Sequence, residues 1–326
     1  MGSEICIRDR VGSHTYNYRG YNSPAGQEPV TMIPSFYRAA DLISEQIPTA
    51  APFVDFDQDG FPDRAIGRWP VRDLEQLKNV VNKSLRWHAQ DSHKSSQTSL
   101  FIADINESFN NFTSSSERII SSLGLPEQSW TEPLRVYSDD VAADPTVVPG
   151  QSLSATRDAL VEGLNQGQAL TVFSGHGAPI TWGSQRLVNA SVVERFDNAQ
   201  TPSLMIPLAC YTTYYETPEV RSLSELLLTD SENGAVALSG AALLSATLDN
   251  ENFSRGLLQE MTVAGVDLGT AVLRMKQRMK GSGPGKTALV YNWVTLGDPT
   301  ISFGLPDITP EPEIITPNSE RLLVSP

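Results

Sequence analysis

Two short apolar runs constrain this chain more than any other feature. Leu170 to Phe173 forms one and Leu204 to Ala209 the other, with a polar, helix-like stretch between them. Brief apolar runs bounded by turn-forming residues read as strands of a parallel sheet buried on both faces. Each run ends near a reactive side chain: His176, between Gly175 and Gly177, follows the first, and Cys210 follows the second. Loops at the carboxyl edge of an open α/β sheet are where such folds place ligands and chemistry. A thiol and an imidazole can meet there.

That pairing has a chemical use. The thiolate is the nucleophile, and a free Cys, with a pKa of about 8.5, is mostly protonated at neutral pH. A neighbouring imidazole raises the thiolate fraction or takes the proton. Glycine lets the backbone approach a substrate closely, so the N–H groups of Gly177 and Cys210 are candidates for an oxyanion hole, where one donor supplies about 3–4 kcal/mol. A lone strand-end Cys is more often a small buried hydrophobe.

The surrounding motifs add specificity. Gly175-His176-Gly177, then Thr181-Trp182-Gly183, then Ala209-Cys210 resemble the gingipain family of cysteine peptidases, which belongs with caspases and legumains. Ser224-Glu225-Leu226-Leu227, Gly234-Ala235-Val236-Ala237 and Trp293 to Pro299 follow in matching order, and Asp63 to Val71 resembles an upstream segment. The likeness spans residues 15–304. It implies a caspase-like α/β fold: a doubly wound, mostly parallel sheet flanked by helices, preceded by the remnant of a smaller N-terminal subdomain. It further implies an endopeptidase acting on a protein or peptide substrate, and a secreted or cell-surface location.

The same resemblance proposes residue roles. Related peptidases place an acid after the first strand of the main sheet to orient the catalytic His, as the third member of a triad does; Asp104 is the first candidate and Glu107 the second. Well-known relatives prefer a basic residue before the cut bond, which requires an acid in the pocket. Asp249, with Glu251 near it, is the candidate. Trp182 in the matched Thr-Trp-Gly, and Tyr211 in an aromatic loop with Tyr214 and Tyr215, are candidates to bind substrate; packing is the alternative for the tyrosines.

Composition narrows the class. A formal charge of −14 over 326 residues argues against nucleic acid or an anionic membrane as partner, since either calls for a basic patch. Apolar runs are all too short to span a bilayer, and no signal peptide follows Met1. With the family's exported members in mind, this suggests a shortened start, with residues 1–10 a scar. Only Cys6 and Cys210 occur, so no disulfide framework or Cys-rich metal site is available.

Three segments are expected: residues 1–92, a partial N-terminal subdomain; 93–304, the caspase-like domain; and 305–326, a Pro-rich tail or linker. Within the first, Asp55, Asp57, Asp59 and Asp63, with Gly60, alternate like the oxygen ligands of a calcium loop. The bidentate Glu of an EF-hand is absent, its place being taken by Ile66, so a structural Ca2+ and a solvated acidic turn both remain open. No cofactor is required for the chemistry itself. His88 and His93, without acidic or Cys partners at metal spacing, read as solvated.

Expected helices are Asp73–His88, Ser114–Leu123, Leu153–Leu164, Leu223–Leu228, Phe253–Thr262 and Asp267–Lys280. Expected strands, besides the runs at Leu170 to Phe173 and Leu204 to Ala209, lie at Val30–Pro34, Ser99–Ala103, Leu134–Tyr137, Ala235–Ser239, Val290–Leu296 and Thr300–Phe303. Gly281 to Thr287 resembles a phosphate loop, but Lys280 stands where its first glycine should be and a helix, not a strand, precedes it. Nucleotide binding is rejected. A catalytically inactive binding module that kept the fold is the alternative function; the presence of both His176 and Cys210 in matching context opposes it.

Overall fold

The strands that lead to His176 and Cys210 lie side by side. A computed structural model describes residues 7–21, 32–40, 43–89, 98–123, 130–216, 221–281 and 284–303. Its elements run β1 Arg8–Val11, β2 Phe36–Ala40, β3 Ile43–Thr49, β4 Ile66–Trp69, α1 Leu74–Ala89, β5 Ser99–Ala103, α2 Phe112–Leu123, β6 Leu134–Tyr137, α3 Ser138–Ala143 and α4 Ser152–Asn165. They continue with β7 Leu170–Ser174, β8 Gly177–Ala178, β9 Thr181–Trp182, α5 Ala190–Val193, β10 Ser203–Leu208, α6 Leu223–Thr229, β11 Ala235–Ala241, α7 Thr247–Met261, α8 Leu268–Arg278, α9 Pro284–Asn292 and β12 Trp293–Gly297.

Eight strands form one sheet in the order β1-β4-β12-β11-β10-β7-β5-β6. Every pairing is parallel except β11 with β12. Because strand side chains alternate between faces, neighbours in β5 serve different layers. Phe101 and Ala103 join a core with α2, α7 and α8, while Leu100 and Ile102 join one with α4, α5 and α6. Burying a Leu or Phe of this kind stabilises by about 1.5–3 kcal/mol. Two-sided burial is why these strands read as continuous apolar runs. The doubly wound, mostly parallel architecture is therefore present.

Several elements depart from expectation. Arg8–Val11 forms a strand where no pattern pointed to one, because an edge strand with charged, exposed residues carries no apolar alternation. Of the strand expected at Val30–Pro34, Val30 and Thr31 lie outside the described residues, and Ile33 and Pro34 are irregular; the strand starts at Phe36. Ile33 and Pro34 instead offer carbonyls to the buried Arg68 guanidinium, as does Gly12. Val290–Asn292 closes α9, so only Trp293 to Gly297 is strand. Thr300–Phe303 is not a strand, since the Asp298 carboxylate accepts from the Thr300 N–H and turns the chain. The helix expected from Phe253 begins at Thr247. His88 is not merely solvated: its Nε2 lies 3.0 Å from Asp298 Oδ2. Cys6, His93 and residues 305–326 lie outside the described residues.

Candidate active site

Strand register brings the thiol and imidazole loops together. Ser174 pairs with Leu208 at the ends of β7 and β10. His176 and Cys210 each stand two residues past that pair, on adjacent strands at one carboxyl edge. Pro207 helps shape this edge. It has no N–H to give β11, and the β10–β11 pairing reaches only Met205 with Leu238. The β11 side is closed by the Cys210 loop itself, where Thr213 N donates to Ala241 O and Tyr211 N to Leu243 O, both at 3.1 Å. Tyr211, next to the thiol, adopts a left-handed backbone with φ of 56°, an unfavourable conformation that persists only where surroundings enforce it.

The two loops touch at Gly177, where a Cβ would collide with the Cys210 carbonyl oxygen. Gly177 opens a hairpin of β8 and β9. Gly183 N donates to His176 O at 2.8 Å, so His176 and Gly183 form a hydrogen-bonded pair. The following pair, Gly177 with Trp182, is then non-hydrogen-bonded, and its amides point off the hairpin. Trp182 N accordingly donates to Val188 O on the far side.

Both candidate acids lie against the His176 loop, but at different atoms. Asp104, 2% exposed at the end of β5, accepts from Ser184 N at 2.7 Å, Ser184 Oγ at 3.3 Å and the backbone N of His176 at 3.4 Å. It fastens the loop and leaves the ring to Glu107, whose Oε1 lies 3.1 Å from His176 Nε2. The order of preference drawn from the sequence is thus reversed at the imidazole. An ionised carboxylate only accepts, so Nε2 carries the proton and Nδ1 is the ring's basic atom. The hydrogen bond to His176, then that to Asn110, holds the Glu107 carboxyl below its usual range. Phe112 stands edge-on to the imidazole, with ring centroids 5.3 Å apart.

The substrate-binding candidates separate. Trp182 is 2% exposed and stacked on Phe173, which makes it a core residue rather than a cleft wall. Tyr211 and Tyr214 do line a pocket of about 530 Å³ with Pro179, Leu243, Tyr37 and Glu216. Burial raises the Glu216 carboxyl above its ordinary range, and Tyr37 Oη donates to its Oε2 at 2.6 Å. Tyr215 is buried, its Oη 2.8 Å from Ser35 Oγ. Asp249 stands in the first turn of α7. Glu251 is engaged elsewhere: Arg118 grips both its oxygens at 2.6 Å, and Ser115 adds a hydroxyl at 2.7 Å.

Sequence reading missed Ser245, whose N lies 3.4 Å from Cys210 Sγ. It follows β11 at the same sheet edge, so the rule that singled out residues beyond β7 and β10 also covers it.

In the acidic loop, Asp55, Asp57 and Asp63 each offer an oxygen within 4.8 Å of the others'. Asp59 turns away to pair with Lys280. Asp55 Oδ1 is buried without a hydrogen-bond partner, as suits a ligand atom for a hard cation. Among the described residues no helix is long and apolar enough to cross a membrane.

Solved structures share this fold. The chain superimposes on the crystal structure of the Arg-specific cysteine proteinase gingipain R with a TM-score of 0.67 at 15% identity, covering 93% of this chain and 65% of that one. A complex of Porphyromonas gingivalis RgpB pro- and mature domains gives 0.66 at 14% identity, covering 93% and 66%. The chain thus spans somewhat less than two thirds of these neighbours' length, and the likeness shows the cysteine peptidase fold. A search of curated proteins returns no match. The sequence profile of peptidase family C25 matches residues 11–304, and the chain therefore belongs to that family, the gingipain family.

Proposed function

We propose that this protein is a cysteine endopeptidase with Cys210 as nucleophile and His176 as acid and base. The observation that carries the reading is the pairing of the β7 and β10 ends, which sets the His176 and Cys210 loops in contact while Glu107 holds the imidazole. Glu107 on Nε2 leaves Nδ1 to take the thiol proton. The thiolate then attacks the scissile carbonyl carbon, and the oxygen that becomes negative is received by the Gly177 and Cys210 amides. His176 returns the proton to the leaving amine, giving a thioester at Cys210. Water, deprotonated by His176, attacks that thioester, releasing the acid and restoring the thiol.

Substrate side chains would lie against Tyr211, with Asp249 in the first turn of α7 as the acid for a basic side chain, and the loop of Asp55, Asp57 and Asp63 would hold Ca2+ as a structural ion. Export, the family's habit, belongs to the same reading. The test is cleavage of a mixed fluorogenic peptide library, with and without calcium, by the parent and Cys210→Ala. Cleavage that disappears in the variant is the expected result. Turnover by the variant at the parent rate removes Cys210 as nucleophile, and a folded parent that cleaves nothing favours a binding module.

A further inference from the structure

Among the described residues, Ser245, outside the proposed dyad, makes polar contacts with the Cys210 sulfur. Ser245 N lies 3.4 Å and Ser245 Oγ 3.8 Å from Sγ, and the thiol donates to Ser245 O at 3.5 Å. The Ser245 hydroxyl is itself held. Asn250, 1% exposed, donates from Nδ2 to Ser245 Oγ at 2.8 Å. That bond fills an acceptor site on the oxygen and leaves the hydroxyl hydrogen to donate. Ser245 also precedes Ala246, the N-cap of α7, which supplies no side-chain cap. The positive end of a fifteen-residue helix therefore opens one residue from the sulfur contact.

We propose that Ser245 stabilises the Cys210 thiolate by direct hydrogen bonding, with Asn250 as the positioning residue that aims its hydroxyl. In the resting thiol the S–H proton points at the Ser245 carbonyl. Once that proton passes to His176, the Ser245 N–H and O–H remain as donors to the sulfur, and helix N-termini with such donors favour thiolates. The inference rests on reading Cys210 as the nucleophile. Titratable groups on the elements at this sheet edge are His176 and Glu107, on the loops after β7 and β5, and Asp249 in the first turn of α7; Glu251 of the same helix is paired with Arg118. Removing the Ser245 hydroxyl alters none of these charges.

The test is the pH dependence of iodoacetamide alkylation at Cys210, read by peptide mass in the folded protein. In this reaction sulfur displaces iodide and no turnover is needed, so the result stands even if the chain cleaves no peptide. Ser245→Ala should slow alkylation about three- to tenfold at pH 6, the factor for one hydrogen bond of ordinary net strength, and leave the alkaline plateau unchanged. Ser245→Thr should restore most of the rate. Asn250→Asp places an acceptor where Nδ2 was, draws the hydroxyl hydrogen off sulfur, and should move the profile in the same direction. Profiles of Ser245→Ala and Asn250→Asp that superimpose on the parent's would overturn the proposal, as would an equal slowing at every pH.

Discussion

Gly177 shows how much a single hydrogen atom decides. Any side chain there meets the Cys210 carbonyl, and backbone cannot step aside as a flexible side chain can. Gly177→Ala should therefore force the two loops apart and lower kcat/KM at least about tenfold, since small misplacements of reacting groups are costly, and the unfolding temperature should fall as well, because overpacking against backbone is itself destabilising. The two acids should respond differently. Glu107→Gln keeps the shape and removes the charge, so kcat should fall about ten- to a hundredfold, less than for a buried triad acid because solvent screens a side chain 47% exposed. Asp104→Asn turns an acceptor toward Ser184 N into a donor, and should cost about 1–3 kcal/mol of stability in denaturant unfolding. Sequence reading placed both acids after β5 and put Asp104 ahead of Glu107, the reverse of their order at the ring, because a three-residue difference along a loop becomes the difference between a backbone amide and an imidazole only after the loop folds.

At the scale of elements, the parallel strands were legible because two-sided burial writes continuous apolar runs into the sequence, and Asp73 announced α1 by its capping bond to Gln76 N at 2.9 Å. Strands decided by their neighbours were not. β1 is charged and gains its conformation by pairing with β4, and Val290 to Asn292, apolar and β-branched at its start, is drawn into α9. Arg68 is another element-scale feature that composition hides. It is 1% exposed, donates to Gly12, Ile33 and Pro34 carbonyls, and ties the N-terminal segment to the sheet. Arg68→Ala leaves those carbonyls without a donor and should cost about 1–3 kcal/mol, with proteolysis appearing first near Gly12, Ile33 and Pro34. For the acidic loop, millimolar calcium should raise the unfolding temperature, and Asp57→Asn with Asp63→Asn should erase the rise; no shift in the parent would leave an ordinary acidic turn.

Over the whole molecule, two buried lysines set a pH dependence that the acidic composition would not suggest. Lys83 and Lys276 are each lowered by burial to about 7. The folded state sheds these protons near pH 7, whereas the unfolded chain keeps them up to its ordinary lysine value of 10.5. Between those limits the unfolded state binds more protons, so stability from this source rises with pH across the window and is lowest below about 7. In Lys276→Met the rise between pH 6 and pH 9 should be smaller than in the parent, measured by denaturant midpoints at each pH. An unchanged slope would mean that the hydrogen bond from Lys276 Nζ to Trp293 O keeps the ammonium charged.

What the sequence by itself determined was the sheet and the identity of its reactive ends. Apolar runs of strand length can be buried only between helical layers, and such a sheet exposes its chemistry at the carboxyl edge. The resemblance carried by His176, Cys210 and their flanking glycines supplied the family. Only the tertiary structure decided which carboxylate meets His176, that Trp182 is core, that Asp59 leaves the acidic loop for Lys280, and that Ser245 lies on the sulfur. Those outcomes depend on contacts between residues far apart in the chain, where a few ångströms separate one hydrogen-bond partner from the next, and local sequence pattern holds no record of such distances.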